Sequence, residues 1–209
     1  MPALITHLLY LHGFRSSPQS KKAQQFGDWV RVHRPDLRWW CPQLPASPRE
    51  ALALLDEGTK DWPLAHTAVV GSSLGGFYAT VLAERWARRG ERASGGSVRV
   101  VLLNPAVHPA RDLAAHIGET TPWHGGDRFF FRPEFVTELQ EETPLDLTRP
   151  QRYFAIIAKG DEVLDWREMT ARYAGCTVRL IEGGDHALSD FDDHLAAAIG
   201  FLGLEADPA

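Results

Sequence analysis

Short apolar runs alternate with amphipathic stretches along most of this chain. His7 to Leu11 (HLLYL) is a compact apolar run that stops at His12-Gly13, the signature of a buried strand. Ser20 to Val32 then places Ala23, Phe26, Trp29 and Val30 at helical spacing. Leu37 to Cys41 predicts a second strand, stopped by Pro42 and Pro45. Pro48 to Glu57 predicts a helix, with Ser47 as its N-cap and Pro48 in its first turn. Thr67 to Val70 (strand), Leu74 to Arg88 (helix) and Val98 to Leu103 (strand) continue the rhythm. Tyr153 to Ala158, Trp166 to Tyr173, Thr177 to Ile181 and Leu188 to Leu202 close it as strand, helix, strand, helix. Six strands alternating with helices predict an α/β fold, a mostly parallel sheet with helices on both faces.

Two segments break the alternation. Arg88 to Ser97 (RRGERASGGS) is polar and Gly/Ser-rich, the composition of a flexible surface connection. Residues 105–150 are too long for a simple connection. They contain Trp123, His124, the run Phe129-Phe130-Phe131 and a short helix around Pro133 to Glu141. Such an insertion serves equally as a lid beside a ligand crevice or as packing over a strand edge. At 209 residues the whole chain, 1–209, is expected to form one domain with this insertion inside it.

Composition narrows the setting. Hydrophobic residues are 44% and charged residues 23%, enough apolar material for a core. A formal net charge of -5 argues against a nucleic-acid-coating protein. Two cysteines, Cys41 and Cys176, make neither a disulfide framework nor a metal cluster. The start lacks a basic segment followed by a long apolar one, and no run reaches membrane-span length. A cytoplasmic location without a membrane span is therefore expected; the chemistry below adds a small-molecule acyl ester or thioester as partner and calls for no cofactor or metal.

The chemistry concentrates at Gly71-Ser72-Ser73-Leu74-Gly75, a G-x-S-x-G pattern. It follows a strand and precedes a helix, the context of a nucleophile elbow. A sharp strand-to-helix turn pushes the Ser73 hydroxyl outward, and the flanking glycines avoid clashes. The plainer alternative is a Gly-rich turn with Ser73 as an N-cap. A phosphate-binding loop is excluded, because the Gly-Lys-Ser/Thr it needs is missing.

A serine needs a base to take its proton and an acid to orient that base. Of nine histidines, His186 stands on the loop after the last strand, at the same sheet edge as Ser73. His12 shares that edge but lies inside a tight turn. Asp161 follows the Tyr153–Ala158 strand, also at that edge. Glu162, Asp165 and Asp185 compete with it, Asp165 being better placed to cap the helix at Trp166. The resulting order, Ser73, Asp161, His186, is that of an α/β-hydrolase. The expected oxyanion donors are the amides of Leu74, after the nucleophile, and Phe14, in the loop after the first strand.

The chain resembles the YqiA-type esterases of the α/β-hydrolase superfamily. The stretches that carry the resemblance are Leu9 to Phe14 with Ser16-Ser17-Pro18, Pro42-Gln43-Leu44-Pro45, Gly71 to Gly76, Asn104 to Val107, Gly160 to Asp165 and Ile181 to Ala187. The resemblance implies an α/β-hydrolase core, ester hydrolysis and the triad Ser73, Asp161 and His186. It weakens at Arg88 to Ser97 and from Pro109 to Pro150. Rival functions remain open at this level, a carbon–carbon lyase on the same fold among them. An acyl thioesterase would use the same residues, with Arg15, Lys21 and Lys22 available to meet carrier phosphates, or simply to face water. A non-catalytic binding protein could keep the fold alone.

Overall fold

The computed structural model describes residues 4–89, 98–122 and 128–205. Most of the predicted Arg88–Ser97 connection, with Trp123 and His124, therefore lies outside the described residues. Six strands form one sheet: β1 (His7–Leu11), β2 (Arg38–Trp40), β3 (Thr67–Ser72), β4 (Arg99–Leu103), β7 (Tyr153–Ala158) and β8 (Thr177–Ile181). Their order is β2-β1-β3-β4-β7-β8, and each adjacent pair is parallel.

Side chains alternate between the two faces, as the pleat requires. Leu9, Leu11, Val69, Val100, Leu102, Ala155 and Ile157 pack under α2 (Pro48–Thr59), α3 (Leu74–Arg89) and α6 (Trp166–Arg172). Leu8, Tyr10, Val70, Val101, Leu103 and Ile156 pack under α1 (Lys21–His33) and α7 (Asp192–Leu202). Because both faces are covered, these strands read as continuous apolar runs. Phe26 of α1 and Phe191, just before α7, join the two helices on that face, with ring centres 5.6 Å apart.

The strand order reverses direction beside β3. The chain passes from β1 outward to β2, returns to β3 on the other side of β1, and then proceeds toward β8. Loops at the carboxyl ends of β1 and β3 therefore diverge and leave a crevice, where open α/β sheets place their ligands.

The insertion contains α4 (Pro109–Leu113), an antiparallel pair β5 (Gly118–Thr120) and β6 (Phe129–Phe131), and α5 (Pro133–Glu142). The apolar pattern did not foresee the β5–β6 pair, whose strands have three residues each. Core burial and hydrogen bonds to the start of α2 anchor this unit. Phe131 is buried in the core, and Glu138 accepts hydrogen bonds from the Ser47 hydroxyl (2.8 Å) and the Arg49 amide (3.0 Å). The predicted N-cap at Ser47 holds as well, its Oγ accepting from the Glu50 amide at 3.2 Å.

Several boundaries shift from the pattern-based reading, and two of the shifts have a clear physical reason. The second strand is shorter, Arg38–Trp40, since Leu37 belongs to the turn that closes on Arg34. The last helix begins at Asp192 rather than Leu188. Leu188 has a left-handed φ of 49°, and Asp185 ties down Ser189 through its amide (2.9 Å) and hydroxyl (2.6 Å). Apolar spacing at Leu188 and Phe191 imitated a helical turn where the chain forms the loop that carries His186.

Candidate active site

Ser73 occupies the single-residue turn between β3 and α3, with φ at 56°. A non-glycine residue in this region is strained and is held there by its surroundings. The holding contacts are the Ser73 amide donating to Leu103 (2.9 Å), and its carbonyl accepting from Gly76 (2.8 Å) and Ala106 (3.0 Å). The flanking glycines are sterically required. A Cβ on Gly71 would lie 2.3 Å from the Gly75 carbonyl oxygen, and one on Gly75 would lie 2.0 Å from that of Leu11.

Three residues from distant parts of the chain meet above this turn. Ser73 Oγ lies 3.1 Å from His186 Nε2, and His186 Nδ1 lies 2.8 Å from Asp161 Oδ2. The Asp161 side chain is fully buried. Its second oxygen accepts from the amides of Val163 and Leu164, both at 2.8 Å. The carboxylate is thus fixed by the turn that follows β7, with one oxygen left for the imidazole. Asp165 caps α6 through the Arg167 amide at 2.9 Å, as its position before Trp166 predicted.

The two turns that carry Asp161 and His186 are laced together. Gly160 donates to the Gly183 carbonyl at 2.8 Å, and a Cβ on Gly160 would lie 2.3 Å from the Gly184 carbonyl oxygen. Gly183 and Gly184 have φ of 79° and 75°, which only glycine adopts readily. Glu162, a rival for the acid position, instead accepts from the His186 amide at 3.0 Å.

Pattern reading gave Asn104 no role, although it ends a strand and opens one of the stretches that carry the resemblance. It is buried, with φ at 41°. Its Nδ2 donates to the carbonyls of Asp185 (3.0 Å) and His186 (3.2 Å), and its Oδ1 accepts from the Ala158 amide at 2.8 Å. One amide side chain therefore joins the ends of β4 and β7 to the histidine turn. A signal was available, since an Asn-Pro pair ending a strand marks an unusual backbone position.

His12, the competing histidine, has a different task. Its Nε2 accepts from the Leu44 amide at 3.1 Å, which places its proton on Nδ1, toward the Gly13 carbonyl at 3.0 Å. It ties the loop after β1 to the Pro42–Pro45 segment. Gly13 packs against the elbow, where an added Cβ would lie 3.1 Å from Ser73 Cβ. This brings the Phe14 loop beside Leu74. Among the described residues, no backbone or side-chain acceptor takes the Phe14 or Leu74 amide.

A cavity of about 340 Å³ opens against this loop. Phe14, Leu44, Pro45, Leu74, Tyr78 and Phe129 supply its apolar wall. The Phe129–Phe131 run divides by strand alternation: Phe129 faces the cavity, Phe130 is exposed and Phe131 is core. Phe14 packs against Phe129 and Phe131 at 6.0 and 5.2 Å, so the insertion walls the cavity.

The cations near the loop are turned toward protein. Arg15 Nε donates to the Thr121 carbonyl at 2.6 Å, Lys21 to that of Ser189 at 3.1 Å, and Lys22 to that of Ala187. Burial brings the Lys22 ammonium down to about 8, against the opposing pull of Asp185 and Asp161. Asp185 is held below the usual carboxylate range, first by its hydrogen bonds from Ser189 and then by Lys22.

The strand order and the strand–serine–helix elbow define an α/β-hydrolase fold. Solved structures of the same fold include a hydrolase candidate from Agrobacterium vitis S4 (TM-score 0.70, 17% identity, covering 96% of this chain and 91% of that one). Alpha/beta hydrolase domain-containing protein 10 from mouse aligns at TM-score 0.68 and 18% identity, over 94% of this chain and 88% of that one. Est1E from Butyrivibrio proteoclasticus, solved with ferulic acid bound, aligns at TM-score 0.68 and 13% identity, over 98% and 92%. Within that fold the chain belongs to the uncharacterised protein family UPF0227, the YqiA-like family, whose profile matches residues 7–203. Among the described residues no helix is long and apolar enough to cross a membrane.

Proposed function

We propose that this protein is a serine esterase that cleaves carboxylic esters through an acyl-serine intermediate. The observation that carries the reading is the hydrogen-bonded chain Ser73–His186–Asp161, at 3.1 and 2.8 Å, on a strained elbow. His186 Nε2 accepts the Ser73 proton as Oγ attacks the ester carbonyl. Asp161 keeps the other imidazole proton on Nδ1 and stabilises the imidazolium. The Phe14 and Leu74 amides receive the oxyanion. His186 then protonates the departing alcohol, and water hydrolyses the acyl-serine by the same route.

The cavity beside the oxyanion loop supports esters with a compact apolar group. Its 340 Å³ lies at the small end of ligand pockets. The thioesterase alternative uses the same triad; of the cations it offered for carrier phosphates, Arg15 lines the cavity, while Lys21 and Lys22 donate to carbonyls of the histidine loop. Reaction with a fluorophosphonate, followed by peptide mass spectrometry, tests the reading. Adduct on Ser73, lost in His186→Ala, is expected. A folded protein that takes no label would instead favour a binding role for the cavity.

A further inference from the structure

The histidine turn is held from several sides, and Glu162 and Gly160 tie it to the acid turn. Asn104 grips the Asp185 and His186 carbonyls from the sheet edge. From another side comes α1, which contributes no reacting group. Lys21 reaches Ser189, Lys22 reaches Ala187, and Gln25 donates to Asp192 at 2.5 Å. Phe26 and Phe191 pack beneath these contacts. Of the polar contacts, that of Lys22 lies next to the imidazole in the chain. Its ammonium also feels the two carboxylates that flank the base, Asp185 and Asp161.

We infer that Lys22 is a positioning residue for His186: its ammonium clamps the Ala187 carbonyl and holds the imidazole in line with Ser73. The inference rests on the esterase reading above. The physical case is geometric. Residues 183–188 include three positive-φ positions, and the turn's own hydrogen bonds run from Asp185 to Leu188 and Ser189, so the carbonyls of His186 and Ala187 are tied down by partners outside it. Its geometry depends on outside contacts, and a charge-assisted hydrogen bond is among the stronger kinds available. A shift of about 1 Å in a base costs on the order of 100-fold in rate.

The charge makes the clamp titratable. The charged groups that act on Lys22 are Asp185 on the turn, Asp161 after β7 and Lys21 on its own helix. With the ammonium at about 8, the charged clamp is complete below that pH and is lost as pH rises through it. Cys41 and Cys176 titrate well above this range, pushed by burial to about 12 and 11.

The test measures the rate of fluorophosphonate labelling at Ser73, and kcat and KM for p-nitrophenyl butyrate, from pH 6 to 10. It compares wild type, Lys22→Met and Lys22→Arg, with melting curves for each. Wild type is expected to lose labelling rate above about pH 8. Lys22→Met should label roughly tenfold or more slowly at pH 7, with KM within twofold and no fall at pH 8. Lys22→Arg should recover most of the rate and carry activity past pH 9, since guanidinium stays charged. The α-amino group also titrates near pH 8, but an arginine at 22 would leave its limb in place. Three results each overturn the inference: Lys22→Met within twofold of wild type, a wild-type rate flat to pH 10, or Lys22→Arg with the fall at pH 8 unchanged. Absence of labelling in wild type would refute the esterase reading itself, a result distinct from these.

Discussion

Asp161→Asn probes the site most sharply, because the surroundings dictate how the new amide must lie. One carboxylate oxygen accepts from the Val163 and Leu164 amides, and the other faces His186 Nδ1. If the introduced carboxamide turned its NH2 toward the two backbone amides, both would lose their acceptor, at about 1–3 kcal/mol each. The carbonyl oxygen therefore stays on the backbone amides, and the NH2 points at Nδ1. The imidazole must then accept at Nδ1 and carry its proton on Nε2, toward Ser73. It can no longer act as the base. Loss of one charge-assisted hydrogen bond alone would be worth about 1.5–3 kcal/mol, or roughly 10- to 150-fold in rate. Reversal of the tautomer is worth about 10,000-fold, or about 5.4 kcal/mol. The assay is kcat for p-nitrophenyl butyrate together with the Ser73 labelling rate, with circular dichroism to verify the fold. A loss smaller than about 100-fold in a folded variant would refute the tautomer argument.

Three further outcomes follow from the same geometry. Gly160→Ala drives a Cβ to within 2.3 Å of the Gly184 carbonyl oxygen, and should cost about 1–3 kcal/mol while separating the acid and base turns; urea unfolding and kcat measure the two effects. Asn104→Ala removes both donors to the histidine turn and leaves the Ala158 amide without its acceptor. It should lower stability by about 1–3 kcal/mol and slow labelling more than Gln24→Ala, a change on the exposed side of α1, does. Phe129→Ala removes part of the apolar wall, enlarges the cavity and should shift the ratio of kcat/KM values toward longer acyl chains with little change in labelling rate; an unchanged chain-length profile would remove Phe129 from the substrate path.

The α/β alternation was legible because strands covered on both faces must be apolar throughout, whereas helices covered on one side must be amphipathic. Helical spacing failed where it met the loop at Leu188. Leu188 and Phe191 are buried there for packing, and apolar burial alone does not report φ. The β5–β6 pair was illegible for a related reason, since three-residue strands are too short to display a period.

The sequence by itself marked the elbow, because Gly71 and Gly75 flank Ser73 between a strand and a helix; the need for glycine at 71 is local, whereas at 75 it comes from Leu11 on β1. It also set the chain order of Ser73, Asp161 and His186 and their common sheet edge, since parallel strands send every following loop to the same side. Only the tertiary structure decided which groups touch. Glu162 lies beside Asp161 in sequence yet holds the His186 amide, and His12 lies at the crevice yet holds Leu44. Asn104 and Lys22 reach the histidine turn from another strand end and another helix. Such contacts depend on side-chain direction across gaps of 80 residues or more, set by the packing of α1 and β4 around the turn rather than by any local pattern.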